Sequence, residues 1–454
     1  MRFFSLFPSV INHDESTYLV IANSITHGAV YLKDFIDTKP PGIFYLFAFL
    51  IQIFGKSVFL IRLAGCLFIT GTAFLLFLSS MKLFKYRAAA IASGAFYILV
   101  TSIYTYFGIS LNTELFFNFF TAFALLSFLT DTRKSYLFAG IAFGIGAIIK
   151  YVVLFDGFAF VVFSLIVAFK QKSLARKISQ LVLLGIGFLI PIAMLFLYYA
   201  GQDALPMLLQ HTFRVGSGYQ SDISARTMVL FYLDFHARFL PFTIMLILVL
   251  IRQKQLFQGI QVRWFYVIWY ASTMVSAGAP QNFFGHYFIQ ALLPLCFISG
   301  NIVIVQPNIL KSLKRHSVRW TIIIALVIGL NSFFQWNDYA RKPDYPKIIA
   351  RDLADEISST DILYTGNYHH IIYFLLDLDS PTPYVHRTML ESNHLATVLG
   401  FNRKAELKRL ADIPPDYYIS KPDPKEPFNP SPSIQYQLMK TYPNNVSVYR
   451  RSLE

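Results

Sequence analysis

Long apolar segments separated by short polar connections run through residues 57–336. A helix needs roughly 17 to 25 apolar residues to cross a hydrocarbon layer about 30 Å thick. Residues 136–169 match two short spans that meet near Lys150 and Asp156. The other predicted spans are 57–80, 88–107, 113–130, 178–199, 228–251, 264–279, 288–306 and 320–336. The pattern therefore predicts a mainly α, polytopic membrane helical bundle of about ten spans.

Two apolar stretches near the start of the chain are too short to be complete spans. Residues 42–54, GIFYLFAFLIQIF, are predicted to form a helix that lies in the outer membrane interface. The segment MRFFSLFPSVIN is interrupted by Pro8 and has the composition of the outer half of a span. We therefore expect the natural protein to begin further upstream with a full first helix.

The chain changes character at about residue 338, where prolines and mixed charge replace the apolar runs. Strand-like patterns occur at 361–366, 416–420 and 446–450, and helical patterns at 346–357, 368–376, 403–411 and 433–440. The sequence thus predicts a membrane domain, 1–337, with a first outer loop at 12–56, and a small C-terminal α/β domain, 338–454.

Lysine and arginine fall on alternate loops, and short cytoplasmic loops carry the excess of these residues. The intervening loops at 108–112, 200–227 and 280–287 hold only Arg214 and Arg226. The basic loops hold Lys82, Lys85 and Arg87, then Arg133 and Lys134, then Lys170, Lys172, Arg176 and Lys177, then Arg252, Lys254 and Arg263, then Lys311, Lys314, Arg315 and Arg319. This distribution predicts a multi-pass protein of the cell (inner) membrane. The segment before residue 57 and the tail after residue 337 are predicted to be extracytoplasmic.

Composition agrees with a membrane protein, since 55% of residues are hydrophobic and only 14% are charged. The net charge of +14 comes mostly from the membrane-flanking loops rather than from one compact basic face, which argues against a nucleic-acid partner. The only cysteines, Cys66 and Cys296, lie within predicted spans, so neither a disulfide framework nor a thiolate metal site is expected.

Polar residues concentrate at the predicted outer ends of the spans, where charge is costly and marks candidate functional sites. They are Asp14, Glu15, Asp34, Asp37 and Lys39 in the first outer loop, and Glu114, Lys150, Asp156 and His286 near span ends. We expect these side chains to meet in one external pocket, where carboxylates and a histidine serve proton transfer or metal binding and lysines bind a phosphate.

Several motifs in this order resemble a known family. They are HDESTY at 13–18, YLKDFIDTKPPG at 31–42, FGKSVFLIRL at 54–63, LNTELFF at 111–117, GIAFGIGAIIKY at 140–151 and GHYFIQALLP at 285–294. Their order and spacing resemble the glycosyltransferase C superfamily, specifically the family 39-like membrane enzymes that include protein O-mannosyltransferases and the aminoarabinose transferase of lipid A. The resemblance covers about 12–336, and the chain departs from the family in lacking a full first span.

The resemblance implies transfer of a sugar on the outer face, from a polyprenyl phosphate-linked donor to a lipid, protein or polysaccharide acceptor. It implies that Asp14 acts as general base or orients the acceptor, with Glu15 beside it, and that Lys39 contacts the donor phosphate. Glu114 falls near the family's second acidic position, although Asn112 is an alternative there. Membrane lipids are expected partners.

Further roles follow for neighbouring residues. Lys150 and Arg62 are second candidates for the donor phosphate. Asp37 and Tyr31 join Glu114 as candidates for an acceptor or second acidic site. His286 matches a metal-binding or acceptor-side histidine of some relatives, so Glu114 and His286 are candidate ligands of a divalent metal.

The residue types suit this chemistry independently of the family. Displacement at an anomeric carbon needs a base for the incoming hydroxyl and a cation opposite the departing phosphate. Asp14 supplies the first and Lys39 the second. Adjacent helical residues point about 100° apart, so Asp14 and Glu15 are not expected to face one substrate together. We therefore expect one direct displacement with inversion.

Structural alternatives exist for each candidate. Asp14 is also placed to cap a helix over 15–27 that ends at Gly28, and Lys39 to anchor the chain at the interface. Lys150 and Arg62 are also suited to reach the headgroups, Glu114 to bond a neighbouring helix, and His286 to lie at the interface as a histidine that binds no metal. A transporter or lipid-linked sugar flippase is the competing function, because a lipid-phosphate site resembles part of a flippase pathway. The sequence specifies neither the sugar nor the acceptor.

Overall fold

The computed structural model describes residues 1–103, 108–218, 223–252, 256–257, 260–422 and 434–452. Residues 104–107, at the end of the predicted span 88–107, lie outside this set. The first half of the chain is helical, and Phe3–Leu6 forms a short 3-10 helix rather than part of a longer one. Its helices are α1 His13–Thr26, α2 Gly42–Phe54, α3 Val58–Phe84, α4 Arg87–Thr101, α5 Thr113–Thr130, α6 Arg133–Ile149, α7 Leu154–Lys170, α8 Leu174–Gly201, α9 Leu205–Gly218, α10 Ala225–Arg238 and α11 Leu240–Arg252.

Strands join the helices in the second half. A two-residue hairpin, β1 Leu256–Phe257 with β2 Ile260–Gln261, precedes α12. The helices that follow are α12 Val262–Gly278, α13 Ile289–Ser299, α14 Ile302–Val305, α15 Pro307–Arg315, α16 Ser317–Gln335, α17 Tyr345–Leu353, α18 Ile371–Leu376, α19 Thr388–Glu391, α20 Asn393–Leu399 and α21 Arg403–Asp412. The remaining strands are β3 Leu363–Tyr364, β4 Tyr417–Ser420, β5 Tyr436–Tyr442 and β6 Val446–Arg451.

Six helical segments in the described residues are long and apolar enough to cross a membrane, or seven if one bent pair counts as a span. They are Val58–Phe84, Thr113–Thr130, Tyr151–Lys170, Leu174–Gly201, Gly285–Val305 and Ser317–Leu353. Gly42–Phe54 and Arg87–Thr101 are shorter apolar helices. The protein is thus a polytopic membrane protein, but the expected number of about ten spans is not confirmed.

The predicted single span 228–251 is wrong in shape. Helices α10 and α11 meet at a bend of 92°. Phe239 caps the end of α10, because its backbone amide donates hydrogen bonds to the carbonyl oxygens of Phe235 and Ala237. Pro241 follows in the first turn of α11, where its missing amide hydrogen is tolerated and its ring disfavours helical continuation through the preceding residue. A hydropathy window averages across this bend and cannot register it.

The chain forms two compact units. The first comprises Met1–Phe3, Arg62–Tyr198 and Gln220–Asn337, and it holds most of the apolar helices. Helices α6 and α8 approach closely there, because a Cβ at Gly140 would lie 2.0 Å from the Leu184 carbonyl oxygen and one at Gly187 would lie 2.1 Å from that of Leu137. Small residues that allow such backbone contact are typical of helix packing in membranes, which explains the glycines of GIAFGIG.

The second unit comprises Phe4–Ile61, Tyr199–Tyr219 and Asp338–Glu454. Its helices α1 and α2 pack together, with Tyr18 lying edge-on to Phe44 and Phe47. Its sheet has the order β3-β4-β6-β5, in which β3 and β4 are parallel and the other pairs antiparallel. The small C-terminal α/β fold predicted from the sequence is confirmed.

The helix predicted at 433–440 is wrong where it is described, and residue 433 lies outside the described set. Residues 436–442 form the edge strand β5, which pairs with β6 around a bulge between Leu438 and Lys440. Its middle residues are exposed, so no alternating buried face marks the strand in the sequence. Pairing with β6 outweighs the local preference of residues such as Gln437, Leu438 and Met439 for helix.

Candidate functional site

Tyr31 organises the loop that carries Lys39. Its hydroxyl donates to the Lys39 carbonyl oxygen at 2.7 Å and lies 3.0 Å from the Asp37 carbonyl oxygen. The same hydroxyl accepts the Asp37 amide at 3.2 Å. Tyr31 is fully buried and stacks on Phe44, with 4.2 Å between the ring centroids. One side chain therefore fixes the backbone on both sides of Thr38.

Asp14 and Lys39 form an ion pair in this unit. The Lys39 Nζ lies 2.8 Å from Asp14 Oδ1 and 3.8 Å from Asp37 Oδ1. The side chains of Asp14 and Lys39 are each 15% exposed, so the pair is mostly shielded but reachable by a ligand. An ammonium carries three donor hydrogens and pairs well with an oxyanion, so Lys39 suits a phosphate.

Asp37 stabilises the turn rather than facing solvent. Its Oδ1 accepts the Lys39 amide at 3.1 Å and the Thr38 hydroxyl at 3.2 Å. The side chain is 1% exposed. His211 Nε2 lies 2.6 Å from the Asp37 carbonyl oxygen, and burial lowers the pKa of this imidazole, so neutral His211 donates there. The arrangement shows Asp37 positioning Lys39; its predicted acceptor role stays a prediction.

Glu15 lies one residue along α1 from Asp14 and is buried, 1% exposed. The two carboxylates differ in setting, because Asp14 is paired with Lys39 at the partly exposed face. The predicted catalytic role of Glu15 stays a prediction.

A second pair of predicted residues, Glu114 and Lys150, meets in the first compact unit, which is called the helical unit below. Lys150 Nζ donates to the carboxylate of Glu114, which also accepts the Thr113 hydroxyl at 3.1 Å. Glu114 is 1% exposed and Lys150 13%. The ammonium also lies 4.3 Å from the centroid of the Tyr287 ring, a cation–π distance. Lys150 is therefore held by a buried carboxylate and an aromatic face rather than reaching to headgroups.

The turn that carries Lys150 is fixed by a buried polar network. Helix α6 ends at Ile149, and a 3-10 turn over Tyr151–Val153 leads into α7, as the predicted break near Lys150 and Asp156 requires. Gln290 donates to the Val152 carbonyl at 3.0 Å and to Asp156 at 2.6 Å. Trp269 donates to the other oxygen of Asp156, also at 2.6 Å. Asp156 is fully buried and satisfied by these neutral donors.

The remaining predicted residues are buried in the same unit. Arg62 is 2% exposed, and His286 is 8% exposed with its ring edge-on to Tyr287. In the part of the chain that the structure describes, no group of three or more His, Cys, Asp or Glu side chains is arranged to hold a metal ion. Glu114 is paired with Lys150, and the predicted metal role of Glu114 and His286 stays a prediction.

Four histidines that the sequence did not single out cluster at the start of α1. The His13 ring stacks on His369 at 5.1 Å between centroids, and lies 5.6 Å from His370 and 6.1 Å from His386. His370 Nε2 lies 2.9 Å from the Thr17 hydroxyl and 3.1 Å from the His13 carbonyl oxygen. Two adjacent histidines, His369 and His370, are visible in the sequence, but the sequence does not show that they contact His13.

Burial keeps these imidazoles neutral. It lowers the pKa of His13 to about 4, with help from the neighbouring His369, His386 and Arg387. Burial also lowers the pKa of His369 and His386, and that of His370 well below its usual value. Three neutral imidazoles therefore lie around His13, the residue that precedes Asp14.

Comparison with known proteins agrees with this architecture. Residues 38–201 match the family model described as dolichyl-phosphate-mannose-protein mannosyltransferase. The fold is similar to that of ArnT from Cupriavidus metallidurans, whose apo crystal structure superposes with a TM-score of 0.75 at 13% identity, over 99% of this chain and 95% of that one. The crystal structure of the same enzyme bound to undecaprenyl phosphate gives a TM-score of 0.73 at 13% identity, with the same coverage. No curated protein matches the sequence of the chain.

These comparisons define the protein as a membrane protein with a glycosyltransferase C fold. The resemblance to the family 39-like branch of that superfamily, drawn from the sequence motifs, is confirmed. Among solved structures, the fold is similar to that of ArnT.

Proposed function

We propose that this protein is an integral membrane glycosyltransferase that transfers a sugar from a polyprenyl phosphate-linked donor to an extracytoplasmic acceptor. The observation that carries the proposal is the ion pair of Asp14 and Lys39, 2.8 Å apart and partly exposed. It joins a base and a cation from two motifs 25 residues apart. The family match and the undecaprenyl phosphate complex of ArnT support the donor class.

The reaction follows from these two groups. The Asp14 carboxylate takes the proton of the acceptor hydroxyl as its oxygen attacks the anomeric carbon. The bond from that carbon to the phosphate oxygen breaks, and polyprenyl phosphate leaves with the electron pair. Lys39 stabilises the negative charge that grows on the phosphate. A single displacement of this kind inverts the anomeric configuration.

Substrate binding also explains why Asp14 and Lys39 start as a pair. A donor phosphate competes with Asp14 for the Lys39 ammonium, which releases the carboxylate to act as a base. Asp37 keeps Lys39 close by, since its Oδ1 is 3.8 Å from the ammonium and is itself held by the Lys39 amide. Before the donor binds, each charge of the pair therefore compensates the other in this mostly buried position.

We also propose Lys150 and Arg62 as donor phosphate contacts within the helical unit. Lys150 is held by Glu114 and Tyr287, and Arg62 is a buried cation near the start of α3. Both side chains are cations, which suits them to a phosphate. We place the reaction on the extracytoplasmic side because the basic loops are assigned to the cytoplasm.

The test is turnover of defined donors by the purified full-length chain. Polyprenyl-phosphate sugars are supplied with a hydroxyl acceptor, and both free polyprenyl phosphate and the glycosylated acceptor are measured. We expect transfer with inversion from a lipid-phosphate donor and none from a nucleotide sugar. Asp234→Asn, in an exposed ion pair with Arg238, is the control. A protein that moves the intact lipid across vesicles without releasing polyprenyl phosphate would be a flippase, and the proposal would be wrong.

A further inference from the structure

A cavity of about 390 Å³ lies beside the start of α1 and is not used by the proposed reaction. Residues 8–13 form one wall, and the segment 338–346, residues 368–369 and the β5–β6 connection form the others. His13, the residue before Asp14, lines this cavity. Its size falls in the range of small-molecule pockets, which begins at about 300 Å³.

The walls combine ring faces with neutral polar groups. Tyr345, Tyr368 and several prolines, among them Pro343 and Pro443, line it together with the Asn444 side chain. His13 and His369 complete the lining. Burial keeps both imidazoles neutral, so neither adds a charge to the lining. Flat apolar faces with paired donors and acceptors at their edges suit a sugar ring, which has C–H faces and an equatorial rim of hydroxyls.

The charged residues of the cavity offset one another. Lys342 pairs with Asp338 at 3.1 Å. Asp344 accepts the Ser9 amide at 2.7 Å and the Ser9 hydroxyl at 2.5 Å. Only Lys421 adds a cation at the exposed edge. The two lysines and two aspartates of the lining balance, so the cavity suits an uncharged hydroxyl-rich ligand better than a phosphate.

We propose that this cavity binds a sugar ring of the acceptor, so that the acceptor is a glycan extending past the hydroxyl that reacts. The inference rests on the proposed function for the identity of the reacting end. The cavity adjoins the proposed reacting end, because His13 lines it and Asp14 is the next residue of α1. Lys39, to which the donor phosphate is assigned, is not among the described residues that line the cavity, which leaves the cavity for the acceptor.

The test is binding of uncharged sugars to the full-length protein, measured by saturation-transfer difference NMR. The probes are the disaccharide of N-acetylglucosamine and methyl α-glucoside. A polyoxyethylene detergent is used because maltoside headgroups would compete for the cavity. Tyr345→Ala and Lys421→Ala remove a ring face and an edge donor, and Tyr86→Ala, at an exposed tyrosine of the helical unit, is the matched control.

We expect at least one probe to bind the native chain and the control alike, and Tyr345→Ala to bind it at least tenfold more weakly. Lys421→Ala weakens it to a smaller degree. Equal binding by native chain and Tyr345→Ala, or no binding of either probe to the native chain, overturns the inference. Release of polyprenyl phosphate by donor hydrolysis is measured on the same samples of the native chain and the Tyr86→Ala control. If the native chain binds sugar but never cleaves the donor, the proposed function fails and the sugar site stands.

Discussion

The side chain of Asn12 accepts the backbone amide of Asp14 at 2.8 Å and thereby caps helix α1. The helix begins at His13, so the alternative in which Asp14 caps a helix over 15–27 is wrong. The C-terminal end agrees with the sequence, since Gly28 follows the helix with a φ of 102°. Because Asn12 does the capping, the Asp14 carboxylate is left to pair with Lys39.

We therefore expect substitution of Asn12 to affect mainly the stability of the protein and substitution of Asp14 to affect mainly its turnover. Asn12→Ala removes the cap and is expected to lower the free energy of unfolding by about 1 kcal/mol, while turnover stays close to that of the native chain. Asp14→Asn is expected to lower turnover by roughly 10² to 10⁴-fold and to leave the cap intact. Denaturation of the purified protein and transfer assays measure the two effects. A large loss of stability in Asp14→Asn with none in Asn12→Ala would contradict the assignment.

Tyr31→Phe tests whether the loop positions Lys39. The substitution removes one hydroxyl and leaves the buried amide of Asp37 and two carbonyl oxygens with a missing partner. An unsatisfied buried group costs about 1 to 3 kcal/mol, so we expect reduced stability and a raised KM for the donor. Tyr86→Phe is the control at an exposed tyrosine. Native KM in Tyr31→Phe would show that Lys39 does not depend on this hydroxyl.

The pair of Glu114 and Lys150 is expected to be strongly coupled. Lys150→Met leaves the buried Glu114 carboxylate without its cation and should cost about 3 to 5 kcal/mol of stability. Glu114→Gln combined with Lys150→Met should recover most of that stability but not the turnover. A double-mutant cycle measures the coupling, and the exposed pair of Asp234 and Arg238 is the control. Additive effects at 114 and 150 would show that the two side chains do not interact.

The histidine cluster predicts a loss of stability in acid. An unfolded imidazole takes up a proton below pH 6.5, whereas folded His13 does so only near pH 4. Between these values the unfolded state binds more protons, so the contribution of His13 to stability falls as the pH falls from 6.5 to 4 and changes little below that. The lowered pKa values of His369, His370 and His386 add to the same slope.

The measurement is the thermal unfolding midpoint of the full-length protein across this range. His13→Asn removes one titrating group and is expected to flatten the decline, whereas His316→Asn in the helical unit should follow the native curve. A native midpoint that stays constant from pH 6.5 to 4 would show that the histidines are not held neutral by the fold.

Hydropathy located long helices such as α5 because an extended apolar run is a property of local composition. Residues 113–130 were predicted as a span, and α5 runs over the same residues. The bend between α10 and α11 was missed, since a single proline inside an apolar run changes direction without changing hydropathy. Edge strand β5 was missed because its pairing with β6, rather than its own pattern, determines its conformation.

The sequence predicted individual residues of the site but not which of them contact one another. Motif order selected Asp14 and Lys39, and the polar residues at helix ends selected Glu114 and Lys150, each of which the structure pairs. The supporting residues Tyr31 and Asp37 were named without their positioning role. His13, His369 and His386 were not named, since nothing in the sequence shows that residues more than 350 positions apart meet.

The separate roles of Asp14 as base and Lys39 as phosphate contact are tested most directly by measuring donor binding and turnover in Asp14→Asn and in Lys39→Ala. Titration of a polyprenyl-phosphate sugar into the purified chain gives the Kd, and single-turnover release of polyprenyl phosphate gives the rate. We predict that Asp14→Asn binds the donor at least as tightly as the native chain, because the competing carboxylate charge is gone, but scarcely turns it over, and that Lys39→Ala binds the donor more weakly. Native turnover in Asp14→Asn, or native donor affinity in Lys39→Ala, would contradict the proposed mechanism.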